Sequence, residues 1–118
     1  MQTDWFNETK KILKENEVIL RSYRLELDNR EGYISLTDDR LIFVQVEGFL
    51  KKSYNKIFDL PYKNILSIKH NDDHKFTLNS KNNKFIFSTK GIPATIVEKS
   101  IEYFRVHCLD TYLDKEKI

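Results

Sequence analysis

Seven short runs of strand-forming residues, each bounded by turn residues, precede one long segment with helical periodicity. No other feature restricts the fold as strongly. The runs cover residues 18–28, 33–37, 41–46, 54–60, 65–70, 75–80 and 84–89. In the first, Ile19, Tyr23, Leu25 and Leu27 fall at alternate positions, mixed with Arg21, Arg24 and Glu26, the period of a half-buried strand. Turn signals separate the runs: Asp28-Asn29-Arg30-Glu31-Gly32, Thr37-Asp38-Asp39-Arg40, a loop around Gly48, Pro61, Asn71-Asp72-Asp73 and Lys81-Asn82-Asn83. Strands recurring about every ten residues indicate an antiparallel sandwich or small barrel. After Pro93 the spacing changes. Ala94, Val97, Ile101, Phe104, Cys108 and Tyr112 recur at three- and four-residue steps, predicting a helix over about 93–113. Its apolar stripe must be buried, and the open end of a small barrel is the natural receptor. A shorter amphipathic helix is expected at about 3–15, with Trp5, Phe6, Ile12 and Leu13 on one side. The expected fold class is therefore mainly β with helices (α+β), a seven-stranded antiparallel barrel or sandwich capped by the C-terminal helix.

Composition supports one domain over residues 1–118. The chain is 40% hydrophobic and 32% charged, with 3 Gly and 2 Pro, as globular domains are. A formal net charge of +2 excludes a strongly basic nucleic-acid arm, so any cationic site must be a local patch. The longest strongly apolar run, residues 41–46, is far shorter than the roughly 18 residues that span a bilayer. The N-terminus lacks an apolar signal core, and the single cysteine, Cys108, has no intrachain partner. Both features lead to the expectation of a cytoplasmic protein, possible at a membrane periphery.

Several segments carry a family resemblance. Gly32-Tyr33-Ile34-Ser35-Leu36-Thr37-Asp38-Asp39-Arg40-Leu41-Ile42-Phe43-Val44 resembles the Gly-x-hydrophobic-x-Leu-Thr-x-x-Arg-Leu-hydrophobic-Phe hairpin of GRAM and bacterial pleckstrin-homology (PH)-like domains. Leu60-Pro61-Tyr62-Lys63-Asn64-Ile65-Leu66-Ser67-Ile68 is similar to their following Ile-Pro-x-x-x-Ile-x-x-Ile segment. Asn16-Glu17-Val18-Ile19 resembles the start of the same families and of GLUE domains, the PH variant of ESCRT-II. The resemblance spans about residues 16–104. It implies a PH-like barrel acting as a non-catalytic binding module, whose partner the fold leaves open. Independently of the family, both faces of the 41–46 strand are apolar, so a place in the middle of a closed sheet is expected for it. Arg40 is expected to brace the hairpin against Asp38, Asp39 or a nearby carbonyl.

No catalytic constellation stands out, and no cofactor is implied. Cys108 and His107 are adjacent, and neighbouring helical residues point about 100° apart, which disfavours a nucleophile–base pair. Cys108 reads as a core packer. His70 and His74 flank Asn71-Asp72-Asp73 and could face each other across a hairpin, but the spacing matches no zinc signature, so no metal is expected.

The informative patch is the loop around Gly48. From Gly48 to Lys56 it carries three lysines and no acid, with Phe49 and Leu50 at the expected tip. The PH-like resemblance implies that the loops joining strands one and two, three and four, and six and seven gather at the end opposite the helix. Arg30, Lys51, Lys52, Lys81 and Lys84 would then surround Phe49 and Leu50, a wedge with cations suited to an anionic membrane surface. The plainer reading folds Phe49 onto the sheet and leaves the lysines as solubilising charges. Residues 27–33 hold two acids beside Arg30 where high-affinity phosphoinositide binders carry several basic residues. Weak headgroup specificity is the corresponding expectation. The alternative is a GLUE-like protein-binding domain for ubiquitin or another trafficking partner, using Glu98, Glu102 and Arg105 on the last helix. Pairing of sheet edges into a homo-oligomer is a third option.

Overall fold

The structure, a computed structural model, describes residues 4–48 and 53–116, with the side chains of residues 4, 56, 57 and 108–116 excepted. In order, its elements are α1 (Asp4–Lys11), β1 (Ile19–Leu27), β2 (Arg30–Thr37), β3 (Arg40–Glu47) and β4 (Ser53–Pro61). A one-turn 3-10 segment (Tyr62–Asn64) leads to β5 (Ile65–Asp72), β6 (Lys75–Ser80), β7 (Lys84–Thr89) and α2 (Ala94–Glu116). The seven strands form one antiparallel sheet in the order β4-β3-β2-β1-β7-β6-β5. The expected fold class is correct. The sheet ends at β4 and β5, which stand as its two edges where a fully closed barrel would pair them.

The β1–β2 connection is tighter than expected. Leu27 pairs with Arg30, leaving only Asp28 and Asn29 in the turn, at φ of 51° and 68°. Two central residues at positive φ are the type I′ pattern, which follows the strand twist, and Asp and Asn tolerate that backbone. Strand β2 therefore begins at Arg30. Gly32 lies within it, where an added Cβ would stand 2.4 Å from the Phe43 ring and 2.6 Å from the Val44 carbonyl oxygen.

Alternate residues of β1–β4, β6 and β7 point into one core, which β5 enters through Ile65 and, partly, Ile68. Leu25, Leu27, Ile34, Leu36, Leu41, Phe43, Leu60, Phe76, Leu78 and Phe87 are buried there with Tyr62 and Ile65. Helix α2 closes one side of this core with Ala94, Val97 and Ile101, all fully buried, and Phe104 partly so. Its first turn is fixed to the β5–β6 turn, where the Ala94 N–H donates to the Asp73 carbonyl at 2.7 Å. Cys108 and Tyr112, expected on the same stripe, have side chains outside the described residues.

The two-sided burial of β3 has a different cause from the expected closed sheet. Leu41 and Phe43 enter the core, whereas Ile42 and Val44 are buried on the opposite face, outside the core cluster. Helix α1 lies against β3 and β4, and Trp5 stacks on Tyr33 of β2 with ring centroids 4.4 Å apart. The first helix thus makes a second apolar layer on the outer face. It ends at Lys11 rather than near residue 15. The Ile12 carbonyl is taken by the Arg40 guanidinium, and Asn16 turns the chain at φ 68°.

Candidate functional site

Strand register settles where the described cations of the expected membrane end lie. Gly32 pairs with Gln45, so Arg30 at the start of β2 lies beside the beginning of the β3–β4 connection. Leu27 pairs with both Arg30 and Phe87, and the Asp28 N–H reaches the Ile86 carbonyl at 3.2 Å. The β6–β7 turn, with Lys81 and Lys84 on its two sides, therefore lies at the same end of the sheet. Arg30, Lys81 and Lys84 are all exposed, and none makes an ion pair among the described residues. The acids of this neighbourhood are largely engaged. Glu31 pairs with Arg24, Glu26 with Lys90 at 2.6 Å, and Glu47 accepts from the side-chain amides of Gln45 and Asn55. Asp28 stays exposed in the type I′ turn. Phe49, Leu50, Lys51 and Lys52 lie outside the described residues.

The alternative site falls on the flank of α2 facing β5. Glu98, Glu102 and Arg105 line a groove there with Leu66, Ser67 and Ile68, and Leu66 is 62% exposed. Their charges are satisfied within the chain. Glu98 takes the His70 Nδ1 at 2.7 Å, and Arg105 reaches both carboxylate oxygens of Glu102. The hydrogen bond to Glu98 raises the His70 imidazole above its ordinary value, aided by that carboxylate's charge and by Asp73 and Asp72, with burial opposing. His74 turns elsewhere, its Nδ1 3.4 Å from the Thr89 hydroxyl, so the two imidazoles do not converge. Among the described residues no cluster of three or more His, Cys, Asp or Glu could hold a metal.

Arg40 is a brace, but not against the expected acids. Its Nε and Nη2 donate to Glu17, its Nη1 to Asp59 at 2.7 Å, and its Nη2 also to the Ile12 carbonyl. Asp39 instead pairs with Lys14, and Asp38 accepts from the Val18 N–H. The Glu17 side chain is 2% exposed. Burial pushes its carboxyl up, yet Arg40, the Lys14 N–H and the Thr37 hydroxyl together hold it down at about 2. This cluster ties the α1–β1 linker to β3 and β4. In the sequence Glu17 stands only as part of the Asn16-Glu17-Val18-Ile19 segment, and nothing local to it signals a partner 23 residues away.

The bacterial PH domain family matches residues 13–108. The chain belongs to that family. No curated protein matches it. Among solved structures, the C-terminal domain of an unknown protein from Leishmania infantum is similar at 18% identity and TM-score 0.63, covering 86% of this chain and 94% of its own. A Shewanella loihica protein with a pleckstrin-homology domain aligns at 21% identity and TM-score 0.61 over 88% of this chain and 99% of its own. A pleckstrin homology domain from Shewanella amazonensis aligns at 22% identity and TM-score 0.59, covering 85% and 94%. These likenesses agree with the PH fold seen here. No helix among the described residues of this bacterial PH domain is long and apolar enough to cross a membrane.

Proposed function

We propose that this bacterial PH domain is a non-catalytic recruitment module that docks on anionic membrane surfaces through the end formed by its β1–β2, β3–β4 and β6–β7 connections. The observation that carries this reading is the placement of Arg30, Lys81 and Lys84, exposed and without an ion pair among the described residues, around one end of the sheet. In sequence, the intervening segment carries Lys51 and Lys52 beside Phe49 and Leu50, which this reading takes as the apolar wedge. Each near-surface cation contributes about 1 kcal/mol of attraction to an anionic leaflet. Recognition is by charge, with weak headgroup preference, because Asp28 and Glu31 stand where a stereospecific phosphate pocket would need further cations. The ubiquitin or partner-protein alternative at Glu98, Glu102 and Arg105 is less favoured, since those side chains already pair with His70 or with each other.

Vesicle flotation tests the proposal. Phosphatidylserine-containing vesicles should retain the protein at low salt and release it as salt rises, while pure phosphatidylcholine vesicles should not retain it. Reversing Lys81 and Lys84 to Glu should abolish retention. Absence of binding to anionic vesicles at low ionic strength would overturn the reading.

A further inference from the structure

Strand β1 is paired unequally along its two edges. On one side it follows β2 from Ile19 to Leu27, but β7 joins the other side only at Leu25, Glu26 and Leu27. Residues 19–24 therefore present an edge with no strand beside it among the described residues. An unpaired edge is a template for another strand.

The same stretch is irregular in a specific way. Ile19 pairs with Thr37 and Arg21 with the adjacent Leu36, so Leu20 is the extra residue of a bulge. A bulge re-aims its side chain, and Leu20 is 41% exposed. Helix α2 runs alongside, linked to the strand by the 2.7 Å hydrogen bond between the Tyr23 and Ser100 hydroxyls. Between strand and helix lies a groove of about 510 Å³ lined by Leu20, Arg21, Lys99, Ser100, Tyr103 and Phe104. That volume lies within the roughly 300–1,000 Å³ typical of ligand clefts. Tyr103 is 56% exposed, so two large apolar side chains stand open within one groove. Arg21 and Lys99 are exposed beside them. Among the described residues, neither makes an ion pair and no acid lines the groove.

These features limit the occupant. A free strand edge selects an extended backbone, Leu20 and Tyr103 select an apolar side chain, and two unpaired cations select carboxylates. We propose that residues 19–24 of β1 and the Lys99–Phe104 flank of α2 form a docking groove for an extended acidic segment of a partner protein. The segment adds to β1 as a further strand, rests an apolar residue on Leu20 and Tyr103, and brings its carboxylates to Arg21 and Lys99. This surface is separate from the proposed membrane end and does not depend on that reading.

Amide chemical shifts of the labelled protein test it, with a pool of capped heptapeptides alternating Glu with Leu, Val or Phe as the probe. Shifts confined to residues 19–24 and 99–104 are expected, weakening with salt. Reversing Arg21 and Lys99 to Glu should weaken binding roughly tenfold or more, as two exposed charge pairs become repulsive. The same pool with Lys in place of Glu should not bind, and peptides N-methylated on alternate residues should lose binding in one of the two phases. Because R21E/K99E alters only exposed side chains, its spectrum should remain dispersed; should it not, Leu20→Ser supplies the same comparison. The proposal is overturned by an absence of shifts at millimolar peptide, by equal binding of the Lys pool, or by shifts gathered at Arg30, Lys81 and Lys84. Perturbation of the groove by anionic vesicles but not by peptides would equally overturn it, assigning the site to lipid.

Discussion

At the scale of single residues, the Arg40–Glu17 pair is the most consequential interaction in this domain, because both side chains are almost wholly removed from water. Truncating one member strands the other. Arg40→Ala is expected to destabilise the fold by about 3–5 kcal/mol in urea unfolding, through a buried carboxylate left without its cation. The pair also sets an acid limit. The Glu17 carboxyl titrates at about 2 in the folded chain against an ordinary 4.5, so the folded value is the lower one. Its contribution is fully present above about 4.5 and is lost as pH falls toward 2, with a total on the order of 3 kcal/mol. Unfolding free energies measured between those values should fall with pH in the parent protein, and the Glu17→Gln variant should show a flatter acid limb. Gly32 is critical for a steric reason. An added methyl meets the Val44 carbonyl oxygen at 2.6 Å, and backbone cannot move aside as a flexible side chain can. Gly32→Ala should lower stability by about 1–3 kcal/mol, checked by its thermal midpoint.

Helix α1 decides much at the scale of elements. It covers Ile42 and Val44 on the outer face of β3, and its Trp5 lies parallel to Tyr33 at an interplanar angle of 7°. Trp5→Ala removes this stack and uncovers part of that layer, for an expected loss of about 1–3 kcal/mol in denaturant unfolding. The strands and α2 were legible in the sequence because their periodicities are local: Leu25 and Leu27 alternate, and Val97, Ile101 and Phe104 step along a helix. The docking of α1 was not, since an amphipathic stripe reports that a face is buried but not against which surface. The same holds for Arg40, whose acidic partners lie 23 and 19 residues away. The position of Arg30, Lys81 and Lys84 at one end of the sheet was legible only through the PH-like resemblance, which says which turns gather together. The free edge of β1 was invisible, because it depends on how far β7 runs beside it, a distance no local pattern encodes. The link between α2 and β5 has a pH dependence of its own. His70 is held above its ordinary value of 6.5 by Glu98, so the contribution is full below that value and disappears as pH rises through the higher folded one. Amide protection factors, with the base-catalysed intrinsic rate divided out, should fall at the β5–α2 contact across that window, and His70→Gln should remove that fall.

On the scale of the whole molecule, the core lies between the proposed membrane end and the proposed docking groove. Among the described residues, β1 is the strand that joins the β2–β4 and β5–β7 portions of the sheet, and it crosses through Leu25, Glu26 and Leu27. Leu25 and Leu27 enter the same core as Phe43, Phe76 and Phe87, so both portions share one apolar interior and should unfold together. Leu27→Ala removes a buried side chain from that bridge and is expected to destabilise the domain by about 2–5 kcal/mol. The Lys81→Glu/Lys84→Glu variant behaves oppositely. Both lysines are exposed and make no ion pair among the described residues, and exposed substitutions of this kind usually change stability by no more than about 0.5 kcal/mol. Urea unfolding and vesicle flotation on the two variants separate the roles. Leu27→Ala should lose stability yet, while folded, keep its anionic-vesicle binding, whereas K81E/K84E should unfold near the parent midpoint with that binding gone. If both functions fell together in K81E/K84E, the cations would be supporting the sheet end, and the surface charge would no longer be an independent recruiting element.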